Sequence, residues 1–292
     1  MSRRKVGLWG LLLFGIFASA SAAWGQTGIL DSVVGAYGDA GSGWLPRALE
    51  IGQKLFLGLA GIELLLTMYL IASGKGGGEP FFHGMLWKFF TLLFLYALII
   101  GFPLFIPRAI EGFQVAGQRV GAVATLSPSG VLDVGVRIGA ELLKSGPIYF
   151  VIPGIGSVFV ASILIVFLSF VMIAVTLAMT IIESYLVLTA GALFLGFAGS
   201  RWTAPLAENY LAYATKVGVR LFLVYVLIGG GVAVSQTWAA TLAATPFDFT
   251  LRPLFETLAG AVTFAFVVFR VPQQATASLS SITFGLREAL KR

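Results

Sequence analysis

Residues 145–182 read SGPIYFVIPGIGSVFVASILIVFLSFVMIAVTLAMTII, and this stretch decides the fold. Its 38 residues contain no Asp, Glu, Lys, Arg or His. A transmembrane helix needs about 20 predominantly apolar residues, so the stretch is longer than one bilayer crossing requires. The sequence therefore predicts an integral membrane protein whose spanning elements are α-helices.

The composition of the whole chain agrees with a membrane location. Hydrophobic residues make up 58% of the 292 residues and charged residues only 11%, whereas soluble domains average about 25% charged residues. The chain has no cysteine, which excludes disulfides, thiolate metal sites and cysteine nucleophiles. A single histidine, His83, provides no histidine cluster for zinc or iron. We expect no metal, no cofactor and no enzymatic activity.

The amino terminus has the pattern of an export signal, which we place at residues 1–23. A basic segment, Ser2 to Lys5, precedes a short apolar segment, Val6 to Phe17, and small residues follow as candidate cleavage positions. An uncleaved first anchor is the alternative. In either case residue 27 emerges outside the cytoplasm, and the pattern suggests a bacterial inner membrane.

About five spans follow the signal. Their predicted positions are residues 55–73, 89–106, 148–182, 217–238 and 254–269. The run from Ile148 to Gly199 is ambiguous, because its length would allow two spans or one span followed by an apolar segment buried in protein. The charges on the connecting segments discriminate between these alternatives.

With five spans, the segments predicted inside carry most of the excess positive charge. Residues 74–88, 200–220 and 270–292 hold nine basic and three acidic residues. The segments predicted outside hold seven basic and eight acidic residues. Because cytoplasmic loops are enriched in Lys and Arg, we predict five spans, a periplasmic mature amino terminus and a cytoplasmic carboxyl terminus.

Three segments between the spans carry polar patterns. Residues 107–147 show two polar stripes separated by a Ser-Pro-Ser-Gly turn, which predicts a periplasmic helical hairpin that either lies on the membrane surface or docks partner proteins. Residues 183–216 are predicted to be a cytoplasmic segment. The tail, residues 270–292, is predicted to form a short amphipathic helix in the cytoplasm.

Two acidic residues are candidates for function. Glu63 lies near the middle of the first predicted span, with Thr67 one turn away on the same face. Because an ionised carboxylate is costly in lipid, Glu63 either lines the pore of an oligomer or is a neutral or hydrogen-bonded structural residue. Glu183 ends the charge-free run and is predicted either to pair with a nearby basic residue (Arg201, Lys216 or Arg220) or to serve a transport site.

Glycines mark two further positions. Gly229, Gly230 and Gly231 lie inside the fourth predicted span, where small residues allow close helix contacts, so we predict an interhelix or subunit seam there. Gly196 and Gly199 are expected to allow a tight bend at the membrane interface. The residues that follow the bend, Arg201 and Trp202, suit that interface because they reach the headgroup region.

Residues 196–203 read GFAGSRWT, residues 216–221 read KVGVRL, and Val271-Pro272 precede a serine-rich tail. Together with the export signal and the loop glycines, these elements resemble the TrbL family, whose members are polytopic inner-membrane components of type IV secretion and conjugative transfer systems. The resemblance covers most of the chain, and GFAGSRWT is its most specific element.

The resemblance implies a channel or scaffold subunit that helps a DNA–protein substrate cross the inner membrane. It also implies that the partners are other type IV secretion subunits, further copies of the same chain and membrane lipids. Direct contact with nucleic acid stays open. The alternative is a small-molecule or ion transporter, but the inverted repeats with paired broken helices that are typical of such proteins are not evident in the sequence.

Overall fold

The structure, a computed structural model, describes residues 28–73, 81–122, 126–145, 155–244 and 252–279. The predicted signal sequence and the tail from residue 280 onward lie outside these ranges. Within them every regular element is helical.

The described part of the chain forms six α-helices. In chain order they are α1 (Ile29–Ala72), α2 (Phe81–Val120), α3 (Pro128–Ser145), α4 (Ile155–Phe194), α5 (Ala204–Ala244) and α6 (Arg252–Ala277). A 3₁₀ turn, Leu195–Gly199, follows α4 directly. All of these helices except α3 are long and apolar enough to cross a membrane, which gives five candidate spans. The predicted all-α membrane protein is confirmed.

From Ile155 onward, the long apolar run is one continuous helix rather than two spans. Helix α4 has 40 residues, and at 1.5 Å per residue it is about 60 Å long. No reversal of the chain interrupts it before the 3₁₀ turn. Since the hydrocarbon core of a bilayer is about 30 Å thick, α4 is long enough to extend well beyond it.

The other predicted spans are also parts of longer helices. The segment 55–73 lies at the carboxyl end of α1, and the predicted cytoplasmic segment 183–216 belongs largely to α4 and α5. Hydropathy finds only the part of a helix that is apolar on all sides. A helix continues past that part wherever water or protein can surround its polar side chains, so the helices extend beyond the predicted spans.

The predicted hairpin at 107–147 differs from the structure in its first arm. The polar stripe from Arg108 to Gln118 belongs to α2, which continues to Val120. The second stripe lies on α3, where Asp133 and Arg137 are exposed. The apolar residues of α3 are buried against protein, among them Val131, Ile138 and Leu142. A position on the membrane surface therefore does not fit α3, because protein already covers its apolar side.

The predicted single domain of residues 24–292 divides into two compact units. Unit 1 contains the described residues within 1–35, 115–180 and 221–274, and unit 2 contains those within 36–114, 181–220 and 275–292. In unit 1, the Asp31 carboxylate accepts a hydrogen bond from the backbone N–H of Ser129 at 3.1 Å, which joins the amino-terminal ends of α1 and α3.

Unit 2 has an apolar core formed by α1, α2 and the turn between α4 and α5. Its buried side chains include Phe56, Leu95, Ile99, Phe102 and Leu195. Phe56 also stacks on Tyr96, with ring centroids 5.7 Å apart. This core holds the segments that carry the candidate site.

Candidate functional site

Glu63 is completely buried in unit 2, with an exposed fraction of 0%. Phe56, Ala60 and Glu63 follow one another at helical spacing along the buried side of α1. Glu63 is buried because it shares one face of α1 with these apolar residues, and that face packs against the core.

Lys88 supplies the positive charge that the buried carboxylate requires. Its Nζ lies 2.8 Å from Oε1 of Glu63, and its side chain is buried as well. Lys88, Leu92, Leu95, Ile99 and Phe102 form one buried stripe on α2. From the sequence we assigned Lys88 to a cytoplasmic loop, but it lies on the buried side of helix α2.

The turn between α4 and α5 provides the remaining donors. The Ser200 hydroxyl donates to Oε2 of Glu63 at 2.9 Å, and the Arg201 backbone N–H reaches the same oxygen at 3.3 Å. The Arg201 side chain also approaches the carboxylate, with Nε 3.6 Å from Oε1. We call Glu63, Lys88, Ser200 and Arg201 the Glu63 cluster. One carboxylate thus joins α1, α2 and the turn.

The surroundings of Glu63 bear on its two predicted roles. A pore-lining carboxylate must face water, whereas Glu63 is enclosed and both of its oxygens have partners within one chain. The hydrogen-bonded structural residue is the alternative that fits. Removing one member of a buried ion pair costs about 3–5 kcal/mol, so the cluster is a strong constraint on the turn.

Glycines let the turn approach the backbone of α1. A Cβ atom at position 196 would lie 2.5 Å from the carbonyl oxygen of Gly52, and one at position 199 would lie 2.6 Å from the carbonyl oxygen of Phe56. Both distances are shorter than van der Waals contact. The bend that we predicted does occur here, but the glycines are required for close packing and not for a left-handed backbone conformation.

Trp202 and Thr67 lie beside the cluster. Trp202 is 64% exposed, and the guanidinium carbon of Arg201 lies 5.3 Å from the centre of its ring. The Thr67 hydroxyl donates to the backbone carbonyl of Glu63, four residues earlier in α1, at 2.7 Å. Exposed Trp next to a half-buried Arg suits a membrane–water interface.

Glu183 forms a second, more exposed ion pair in unit 2. Its Oε2 accepts from Nη1 of Arg220 at 2.6 Å, and its Oε1 accepts from the Tyr213 hydroxyl at 2.7 Å. Arg220 is one of the three predicted partners. Tyr213 was not anticipated, although its spacing of seven residues from Arg220 places both on the same face of α5.

The three consecutive glycines of α5 have different surroundings in unit 1. A Cβ atom at position 229 would collide with the backbone of Gly121, whose Cα would lie only 2.8 Å away. A Cβ at position 231 would collide with the ring of Phe264. Gly230 has open space around it. The interhelix seam therefore uses Gly229 and Gly231, while Gly230 lies on the exposed side.

The described residues contain no group of three or more His, Asp or Glu side chains that could hold a metal ion. The ionisable groups that lie close together within the spans form pairs of opposite charge. Such pairs hold helices together.

Comparison with known proteins places these features in a family. The family model for the TrbL/VirB6 plasmid conjugal transfer protein matches residues 60–271, which is more than half of the chain and includes the whole Glu63 cluster. The conjugal transfer protein TrbL of Rhizobium radiobacter is 27% identical over 244 residues, covering 82% of this chain and 60% of that protein.

The probable conjugal transfer protein TrbL of Sinorhizobium fredii (strain NBRC 101917 / NGR234) is 25% identical over 249 residues, covering 82% of this chain and 62% of that protein. The chain thus spans about three fifths of the length of these two relatives. Since the family model covers all four residues of the Glu63 cluster and more than half of the chain, the chain belongs to the TrbL/VirB6 family of plasmid conjugal transfer proteins.

Proposed function

We propose that this protein is a channel or scaffold subunit of a type IV secretion apparatus in the bacterial inner membrane, where it assists the passage of a DNA–protein substrate. The observation that carries the proposal is the family match over residues 60–271. The protein acts without catalysing a reaction, and its residues Glu63 and Glu183 are paired with basic residues.

The contacts of unit 2 favour a structural role for each chain. Glu63 and Glu183 both bind basic residues of the same chain, so neither offers a free carboxylate to a transported ion. Any path for the substrate would then lie between subunits. We propose that copies of this chain assemble with each other and with other secretion subunits, and that direct contact with nucleic acid is not required of the Glu63 cluster.

The proposed orientation places the mature amino terminus in the periplasm and the carboxyl terminus in the cytoplasm. It is supported by five candidate spans, an odd number, and by the excess of basic residues on one set of connecting segments. Reporter enzymes fused after Arg292 should be active in the cytoplasm only. Periplasmic activity of such a fusion would overturn the orientation.

The role in transfer is tested by deleting the gene from a donor strain that carries the conjugative element. We expect transfer to be abolished and donor growth to be unchanged, and a plasmid copy of the intact gene should restore transfer. A complementing copy with Arg47→Gln, a change at an exposed residue of α1, serves as the matched control. Normal transfer from the deletion strain would refute the proposed role.

A further inference from the structure

Arg201 is the charged member of the Glu63 cluster that reaches the surface. Its side chain is 28% exposed, and its closest approach to Glu63 is the 3.6 Å contact of Nε. In the part of the chain that the structure describes, the guanidinium makes no side-chain hydrogen bond, and its carbon lies over the ring of Trp202 at 5.3 Å from the ring centre. Its donors are therefore available to an acceptor outside the protein.

The charges of the cluster do not cancel. Glu63 contributes one negative charge, while Lys88 and Arg201 contribute two positive charges. Lys88 is the closer partner of the carboxylate, at 2.8 Å against 3.6 Å for Arg201. The excess positive charge thus resides on Arg201. At a membrane–water interface an arginine side chain reaches the headgroups, so this position favours an anionic group.

An apolar cavity adjoins the cluster on the side of α1 and α2. Its volume is about 190 Å³, and it is lined by Leu64, Leu65, Thr67, Met68, Met85, Leu86 and Phe89. Leu64 follows Glu63 directly in α1, and Phe89 follows Lys88 directly in α2. Leu65 is 69% exposed and Phe89 is also exposed, so the cavity opens to the surroundings of the protein. A lining of this kind accommodates hydrocarbon.

We propose that unit 2 binds one anionic phospholipid, whose phosphate accepts hydrogen bonds from Arg201 and whose acyl chain occupies the cavity. Arginine binds phosphate through charge-assisted, often bidentate hydrogen bonds. Free phosphate and the phosphodiesters of nucleic acid have the same acceptor chemistry, but neither accounts for an apolar cavity lined by the chain neighbours of Glu63 and Lys88. The inference does not depend on the proposed role in conjugation.

The test is native mass spectrometry of the purified full-length protein in detergent, titrated with phosphatidylglycerol or with phosphatidylcholine of the same acyl chains. We expect tighter binding of phosphatidylglycerol. Arg201→Gln should weaken that binding about tenfold, the effect of losing a charge-assisted hydrogen bond, while Arg201→Lys should keep part of the preference. Arg47→Gln, which removes an exposed arginine of α1, should leave binding unchanged. Equal binding of the two lipids by the unaltered protein would overturn the proposal.

The acyl chain is tested separately by Leu65→Gln with Leu86→Gln, a double change at exposed positions that should not prevent folding. We expect this variant to bind phosphatidylglycerol more weakly than the unaltered protein. If Arg201→Gln fails to fold, this double variant still tests the proposal. Excess inorganic phosphate or a short single-stranded oligonucleotide should not displace the lipid. Displacement by inorganic phosphate would show a free-phosphate site, and displacement by the oligonucleotide would show a nucleic-acid site; either result would refute a lipid site.

Discussion

Gly196 lies against the backbone of Gly52, so closely that a Cβ atom at position 196 would be 2.5 Å from the Gly52 carbonyl oxygen. The turn after α4 and the middle of α1 thus meet without a side chain between them. The buried carboxylate of Glu63 holds the same two elements together three helical turns further along α1. Close backbone contact and ionic pairing therefore act on the same junction in unit 2.

Gly196→Ala should destabilise the protein, because the obstructing atoms belong to a backbone that cannot move aside. Overpacking of this kind costs about 1–3 kcal/mol. The matched control is Gly58→Ala, also within unit 2, where a Cβ atom would meet nothing within 4 Å. Thermal unfolding in detergent should show a lower midpoint for Gly196→Ala only. Equal midpoints for the two variants would contradict the close contact.

Lys88→Met should be among the most destabilising single changes in unit 2. It leaves the buried Glu63 carboxylate without its closest cation, at an expected cost of about 3–5 kcal/mol in the free energy of unfolding. Lys54→Met breaks an exposed ion pair with Glu50 and should cause no measurable change.

A second change tests the ionic origin of that effect. Glu63→Gln combined with Lys88→Met removes both charges, so it should be less destabilising than Lys88→Met alone. Chemical denaturation of the two variants in mild detergent measures the difference. A double variant that is less stable than the single one would show that the pair does more than neutralise charge.

The Glu183–Arg220 pair should contribute less than the Glu63 cluster, because its side chains are 25% and 30% exposed. We expect Arg220→Gln to lower the free energy of unfolding by about 1 kcal/mol. Exchanging the charges, with Glu183→Arg and Arg220→Glu together, should restore part of that loss. If the exchange restores nothing in thermal unfolding, the pair is not the source of the effect.

The three neighbouring glycines of α5 should respond differently to the same substitution. Gly229→Ala places a methyl group against the backbone of Gly121 and should cost about 1–3 kcal/mol. Gly230→Ala projects into open space and should be neutral or slightly stabilising, because alanine favours the helix. Thermal unfolding of the two variants provides the comparison, and an equal loss in both would refute the seam.

Hydropathy and charge were sufficient to predict the class of fold. The charge-free run from residue 145 predicted a membrane helix, and the distribution of Lys and Arg favoured one span in that run, which agrees with the continuous helix α4. Both predictions depend only on the residues of a segment and on whether lipid or water surrounds it. They require no knowledge of which helices are neighbours.

The candidate site was only partly predictable, because its contacts join residues that are far apart in sequence. Glu63 was identified from its position in an apolar span, and a structural role was one of its two interpretations. Lys88 was missed, since a lysine at the edge of a span looks like a cytoplasmic charge. Its spacing from Leu92 and Leu95 was the signal that could have revealed it, because these residues share one helix face.

Helix α4 runs without a break over 40 residues, about 60 Å, and this length has a practical consequence. A single helix of this length is long enough to cross the bilayer and to extend into the water on at least one side. The chain has no native thiol, so single cysteines introduced along α4 would react with a water-soluble maleimide without background. The pattern of reactive and protected positions would read out the depth of the protein in the bilayer directly.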